Sequence, residues 1–191
     1  MKGRRLRVDT TVVETNVHYP TDSSLLGEGV RVLIRTMKKI TRIVGEVGTK
    51  ICDRGRSVKL RVLDIARAAR ARGKPHQERL ARAYGQLLNS TSRVAGQAKR
   101  FSREIVQGVK RSKDILDQLA LDGLRQQIDA MVPLVRQVMK QARARILRGN
   151  TRSEGKLLSL FEPSTEIIRK GKAAKPSLAR WSRCRKPRTR S

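Results

Sequence analysis

The stretch "SSLLGEGVRVLIRTMKKITRIV" (Ser23 to Val44) has the most regular pattern in the chain. Its apolar residues recur at intervals of three and four, which is the period of an α-helix with one face in a core. They are Leu25, Leu26, Val30, Leu33, Ile34, Met37, Ile40 and Val44. Between them lie Arg31, Arg35, Lys38, Lys39 and Arg42. The stretch therefore predicts an amphipathic helix with a basic face.

Three segments further along the chain show the same period. A second helix is predicted from about Ser57 to Arg72, a third has apolar residues from Leu80 to Val109, and a fourth has them from Ile115 to Ile146. We expect Pro133 to kink the fourth helix. Each segment has one apolar stripe, and short breaks join the segments. Residues 22–150 are therefore predicted to form an antiparallel bundle of four helices.

The residues on either side of this helical block favour strands. Residues 4–19 are rich in Val and Thr, which indicates two short strands, a β-hairpin within residues 1–21. After the helices, "KLLSLFEP" (Lys156 to Pro163) and "TEIIRKGK" (Thr165 to Lys172) predict a second hairpin within residues 151–176. The expected fold class is therefore α+β but mostly α, with a hairpin, a helical block, a second hairpin and an irregular tail over residues 177–191.

The composition combines a real core with a very basic surface. Of the 191 residues 38% are hydrophobic, and 45 Lys and Arg against 16 acids give a formal charge of +29. Such a surface attracts polyanions, above all nucleic acid, although an ordinary solvated basic helix surface is the alternative. Only 3% of residues are aromatic, so contact with phosphates fits better than stacking on single-stranded bases.

Several other classes of function lack support in the sequence. No apolar run approaches the roughly 20 residues of a membrane span, and no signal peptide is recognisable. Cys52 and Cys184 lack the spacing of a zinc site or a disulfide framework, and His18 and His76 have no nucleophile beside them. We therefore expect a soluble, cytoplasmic protein with neither a membrane partner nor a small-molecule substrate.

Asp9 is a carboxylate inside the predicted first strand. A charge at such a position points either to solvent or into a site, and the residues alone leave both interpretations open.

The sequence around Asp9 resembles that of a known protein family. "RVDTTVVETNVHYPTDSSLLGEGVRVLIR" (Arg7 to Arg35) closely resembles the start of the catalytic domain of bacterial insertion-sequence transposases of the ISNCY group, in the RNase H-like DDE class. "LLSLFEPSTEIIRKGKAAKP" (Leu157 to Pro176) is similar to the strand pair after that family's helical insertion.

The resemblance implies an RNase H-like sheet interrupted by residues 22–150 as a helical insertion. It also implies a role for Asp9, as the first of three carboxylates that hold two Mg²⁺ (or Mn²⁺) ions during phosphodiester transfer in DNA transposition. The second and third carboxylates are expected beyond Pro176, where this chain has no acid. We therefore expect a transposase fragment that is inactive alone and binds such ions weakly.

The tail "SLARWSRCRKPRTRS" (Ser177 to Ser191) has six basic residues and no acid, and it departs from the family pattern. Back-translation read one base earlier gives Glu-Phe-Gly, the family's continuation, which suggests a disordered tail translated out of frame. A basic DNA-binding tail is the alternative. The resemblance begins almost at Met1, whereas such transposases carry an upstream DNA-binding region, so we expect Met1 to be an internal start.

Double-stranded DNA is the expected partner, together with a full-length transposase or a second copy of the chain. Arg169, Lys170 and Lys172 are candidates for DNA contact, with an ordinary charged turn as the alternative interpretation. The competing function is a non-catalytic basic helical protein that binds nucleic acid or inhibits a transposase. A ribosomal-type RNA binder is a third interpretation, which leaves the motif around Asp9 unexplained.

Overall fold

A computed structural model of the protein describes residues 11–14, 21–70, 74–149, 156–168 and 177–182. Four helices dominate it: α1 (Asp22–Val44), α2 (Gly55–Ala68), α3 (Lys74–Val106) and α4 (Ile115–Arg148). They coincide closely with the four periodic segments, so the prediction of four helices is confirmed. The third helix starts earlier than its apolar pattern, with Pro75 in its first turn, where a missing amide hydrogen costs no helical hydrogen bond.

Local capping residues set where α1 and α4 begin and end. The Thr21 hydroxyl accepts a hydrogen bond from the Ser24 amide at 3.2 Å, and the Ser24 hydroxyl accepts one from the Thr21 amide at 3.0 Å. The Asp114 carboxylate accepts hydrogen bonds from the amides of Leu116 and Asp117 at the start of α4. Gly149 ends α4 with a φ of 65°, a left-handed conformation that favours glycine.

Side-chain contacts show how the helices run. Between α1 and α4, Asp22 contacts Gln141 and Thr36 contacts Gln127, so residue numbers rise on one helix as they fall on the other. The same opposition joins α3 to α4, through the pairs Tyr84 with Arg145 and Ser102 with Asp129. It joins α1 to α2 as well, where Gly27 lies beside Val62 and Gly55 beside Ile34. The helices therefore form an up-down-up-down bundle.

The core lies along the axis of this bundle. Its fully buried side chains come from all four helices, among them Leu26, Leu33, Met37 and Ile40 of α1, Val58 of α2, Leu87 and Phe101 of α3, and Leu121, Ile128 and Val135 of α4. Helices α1 and α4 approach closely at Gly29, where an added Cβ would lie 2.5 Å from the Val135 side chain. This glycine therefore lets the two helices pack at short range.

The predicted fold class is wrong where it places β-hairpins on both sides of the helices. The structure has three short strands, β1 (Thr11–Glu14), β2 (Glu166–Ile168) and β3 (Ser177–Ser182), paired antiparallel in the order β1-β3-β2. Strand β1 pairs with β3 from the opposite end of the chain, so it has no hairpin partner among its described neighbours. The described residues are thus a helical bundle, without the RNase H-like sheet that the resemblance implies.

The second predicted hairpin fails for a physical reason. Residues 156–159 are irregular, and Leu157, Leu158 and Leu160 are all buried. Adjacent residues of a strand point to opposite faces, so the burial of both Leu157 and Leu158 does not match a strand with one face in the core. The segment instead lies on the bundle, where the Gln141 amide donates to the Leu157 carbonyl at 3.0 Å and accepts from its amide at 3.0 Å.

Candidate nucleic-acid interface

A long groove lies between α1 and α2 and encloses about 1000 Å³. The apolar part of its lining comes from Val30 and Ile34 of α1 and Val58, Val62 and Leu63 of α2. These residues belong to the faces with which the two helices pack. The groove therefore follows directly from the antiparallel pairing of α1 and α2.

Basic side chains dominate the walls of the groove. Seven line it, namely Arg31, Arg35, Lys38, Lys39, Arg42, Arg56 and Lys59, against the two acids Glu28 and Asp53. All seven are exposed. Within the described ranges, Lys38 is the only one of the seven that forms an ion pair. Six cations of the groove thus have no carboxylate partner among the described residues, and we call them the six groove cations.

The α1 cations follow one line along the helix. Arg31, Arg35, Lys38 and Arg42 are separated by four, three and four residues, so they share one face. At 1.5 Å per residue the line is about 16 Å long. Arg56 and Lys59 face it from the first turns of α2. The arrangement is a double row of positive charge around an apolar floor.

Asp53 ties the start of α2 to the middle of α1. Its carboxylate lies 2.5 Å from the Lys38 ammonium, and its other oxygen accepts a hydrogen bond from the Gly55 amide at 2.8 Å. The hydrogen bond from Lys38, followed by the one from Gly55, lowers the pKa of Asp53 below its ordinary value. Asp53 is therefore ionised at neutral pH, and it offsets the charge of Lys38 alone.

A second polar cluster closes the bundle where the α1–α2 connection meets the α3–α4 connection. Lys110 is 1% exposed, pairs with the Glu104 carboxylate at 3.3 Å and lies 4.4 Å from the ring centre of Phe101. It donates hydrogen bonds to the carbonyls of Val47 and Thr49. These partners occupy the ammonium fully, so the cluster holds two connections together and offers nothing to a ligand.

Glu104 completes this cluster as an ionised group. Burial raises its pKa, but hydrogen bonds from the hydroxyl and amide of Thr49, together with the ion pair to Lys110, outweigh burial and lower the pKa overall.

A third cluster lies at the opposite end of the bundle. There Asp22, which is 2% exposed, accepts from Gln141 at 3.1 Å and pairs with Arg145 at 3.3 Å. Both clusters satisfy their own charges and are structural.

The residues that the sequence suggested as sites lie elsewhere. Asp9, Arg169, Lys170 and Lys172 all fall outside the described residues, so their roles stay predictions. Within the part of the chain that the structure describes, no group of three His, Cys, Asp or Glu side chains could hold a metal ion. No set of Mg²⁺ ligands can therefore be named from the described residues.

The sequence pattern predicts one wall of the groove but not the other. The basic face of the first helix is visible from its period alone. Arg56 and Lys59 became part of the same surface only through the packing of α2 on α1, which no local pattern reports. Their i, i+3 spacing indicates only that the two residues share a face of α2, and does not indicate that this face lies beside α1.

Comparison with known proteins adds no relative. The chain matches no protein-family model, no curated protein and no solved structure. The similarity to ISNCY-group transposases consequently stays a prediction from the quoted motifs. A separate finding concerns membranes: none of the helices in the described ranges is both long and apolar enough to cross one.

Proposed function

We propose that this protein binds double-stranded DNA through the phosphate backbone, with the α1–α2 groove as its principal contact. The observation that carries this proposal is the set of six groove cations without a carboxylate partner among the described residues. Placing like charges side by side costs free energy unless a counterion or ligand neutralises them. A polyanion relieves that repulsion along the whole groove at once.

The dimensions of the groove suit a duplex. Double-stranded DNA carries one phosphate charge per roughly 1.7 Å of axis, so about 16 Å of groove faces about ten phosphates on two strands. Arginine and lysine contact phosphate oxygens without reading sequence. Binding should therefore be strong at low salt and largely independent of base sequence.

Duplex DNA is favoured over other nucleic acids by two observations of different kinds. Single-strand binders rely on aromatic stacking, and the whole chain is only 3% aromatic. The choice of DNA over RNA rests on the similarity to insertion-sequence transposases. A bacterial cytoplasm, where DNA is accessible, is the compartment that this function requires.

The salt dependence of duplex binding tests the proposal. Fluorescence anisotropy with a labelled duplex should give a log–log slope of about −4.5 against salt if about five phosphates are neutralised. A groove variant carrying Arg31→Gln, Arg35→Gln and Arg56→Gln should reduce the magnitude of that slope by about 2.7.

The matched control removes the same charge elsewhere. Arg82→Gln, Arg93→Gln and Lys99→Gln change three exposed cations of α3 that do not line the groove. This variant should keep a slope near that of the unmodified protein. Equal losses in the two variants would mean that binding is spread over the surface, and the groove assignment would be wrong.

Transposition is a second candidate, supported by the motif around Asp9. In that proposal Asp9 is one metal ligand of a longer relative that transfers phosphodiester bonds with two Mg²⁺ or Mn²⁺ ions. One carboxylate cannot hold two ions, so this chain alone should not join DNA strands. Asp9→Asn distinguishes an active enzyme from the non-catalytic alternative, a nucleic-acid binder or transposase inhibitor. An enzyme would lose its joining activity in this variant, whereas a pure binder should bind duplex DNA unchanged or slightly more strongly.

A further inference from the structure

A second groove lies between α3 and α4 and encloses about 620 Å³. Ser92 and Ala95 line its α3 wall, and three bases of α4 line the other, namely Arg136, Lys140 and Arg143. All three bases are exposed, and we call them the α4 cations. They are separated by four and three residues, so they share one face of the helix over about 10 Å. The groove therefore has a continuous row of positive charge along one wall.

Carboxylates do not neutralise this row of charge. Residues 79–103 of α3 and 130–148 of α4 contain no Asp or Glu at all. None of the α4 cations forms an ion pair with another described residue. Like charges three and four residues apart destabilise a helix, and an anion bound along the row relieves their repulsion. The exposed Ser92 hydroxyl on the facing wall is a further donor that phosphate oxygens accept.

The neighbouring groove between α2 and α3 differs in its charges. Its lining includes Arg67, Arg79 and Arg82, but also Asp64, which pairs with Arg67 at 3.7 Å. The α1–α2 groove likewise contains two acids among its seven bases. Of these three grooves, only the one between α3 and α4 is lined by bases without any acid. A basic surface in general therefore does not explain its composition.

The order of the helices around the bundle places the two basic grooves on opposite sides. Helix α1 packs on α2, α2 on α3, α3 on α4 and α4 on α1, whereas α2 and α4 do not meet within the described ranges. The pair α1–α2 therefore lies opposite the pair α3–α4, and their grooves open in opposite directions. Duplex DNA has a persistence length of about 150 base pairs, so a short duplex in one groove stays nearly straight. It cannot bend around the bundle to reach the other groove.

We infer that the α3–α4 groove is a second phosphate-binding surface for duplex DNA, so that one chain holds two duplexes at the same time. This bridging rests on the proposed function, because the first duplex occupies the α1–α2 groove. A row of about 10 Å faces about six phosphates of a duplex, whereas a single free phosphate contacts only part of it. With three cations instead of six, the second duplex binds more weakly than the first and dissociates at lower salt.

Capture of one duplex by another tests the bridging. A biotinylated duplex of about 20 base pairs is held on beads, and a fluorescent duplex of the same sequence is added with the full chain at about 50 mM salt. We expect the unmodified chain to retain the fluorescent duplex on the beads. Arg136→Gln, Lys140→Gln and Arg143→Gln together should reduce this retention at least about tenfold, because the second duplex loses its phosphate contacts. Fluorescence anisotropy of the same variant should still show binding of a single duplex in the α1–α2 groove.

The matched control removes the same charge from the α2–α3 groove. Arg67→Gln, Arg79→Gln and Arg82→Gln change three exposed cations that line that groove and neither of the other two. This control should retain the fluorescent duplex as well as the unmodified chain does. Equal losses of retention in the two triple variants would mean that bridging follows the overall charge, and the α3–α4 assignment would be wrong.

The remaining outcomes separate the bridging from the proposed function. An unmodified chain that binds duplex in anisotropy but retains none on the beads overturns the bridging and leaves the α1–α2 groove as the DNA contact. A chain that binds no duplex in anisotropy overturns both. Full retention by the α4 variant would mean that two associated copies each carry one duplex, and it overturns the second surface. Sedimentation velocity with excess duplex should show one chain with two duplexes, and a complex of two chains with two duplexes contradicts the inference.

Discussion

Lys110 shows how much a single residue can contribute to this fold. Its ammonium is buried against Phe101, paired with Glu104 and bonded to two carbonyls of the α1–α2 connection. Removing one partner of a buried pair leaves the other charge with poor solvation. We expect Lys110→Met to lower the free energy of unfolding by about 3 kcal/mol in urea denaturation.

Lys113→Met is the control for this prediction. Lys113 lies on the same connection between α3 and α4, is exposed, and has no ion pair among the described residues. Its removal should change stability by less than about 0.5 kcal/mol. Similar losses of stability in the two variants would mean that the buried Lys110 charge stabilises the fold no more than an exposed lysine does.

Glu104 makes stability depend on acid pH. Its pKa is lower in the folded protein than in the unfolded chain, where it is about 4.3. Ionised Glu104 therefore stabilises the fold above about pH 4.3, and this contribution is lost as pH falls through the folded-state pKa. Denaturation midpoints measured from pH 6 down to about pH 3 should fall less steeply for Glu104→Gln than for the unmodified protein. Parallel curves would contradict the assignment.

At the scale of helices, the close approach of α1 and α4 depends on one glycine. A methyl group at position 29 would lie 2.5 Å from Val135, so the helices must separate to accept it. We expect Gly29→Ala to destabilise the bundle by about 2 kcal/mol in thermal or urea unfolding. Gly85→Ala, with open space around its Cβ, should instead stabilise it by up to about 1 kcal/mol.

The helices were predictable from sequence because their signal is local and repeated. In Ser23 to Val44 apolar residues recur at every third or fourth position, and the structure buries all of those named in the pattern except Val44, which is half-buried. The segment from Leu157 to Leu160 has too few residues to show a period, so its apolar character was misread as a strand. Its burial depends on Gln141, which lies 16 residues earlier in the chain.

The candidate site was predictable only in part, because a local pattern does not report contacts between distant segments. The cations of α1 share a face that the period defines. Their pairing with Arg56 and Lys59, and the burial of Lys110 in a polar connection, depend on contacts between distant segments. A lysine in a Gly- and Ser-containing turn would ordinarily be assigned to the surface.

For the whole molecule, the groove proposal predicts how binding depends on duplex length. If the α1–α2 groove is the principal contact, a duplex that spans one groove already makes the full set of phosphate contacts. Unmodified protein should therefore bind a short and a long duplex with similar affinity per site in fluorescence anisotropy. Much tighter binding per site to the long duplex would mean that cations outside the groove contribute as much as those within it.

The buried position of Lys110 also affects how a protease can enter the molecule. The connection between α3 and α4 is otherwise rich in exposed backbone and in the basic side chains that trypsin recognises, at Arg111 and Lys113. Trypsin must take the side chain before the cleaved bond into its own pocket, and the Lys110 ammonium is held inside the bundle. Digestion of the folded protein at this connection must therefore leave the bond after Lys110 intact, with the first cuts after its two exposed neighbours.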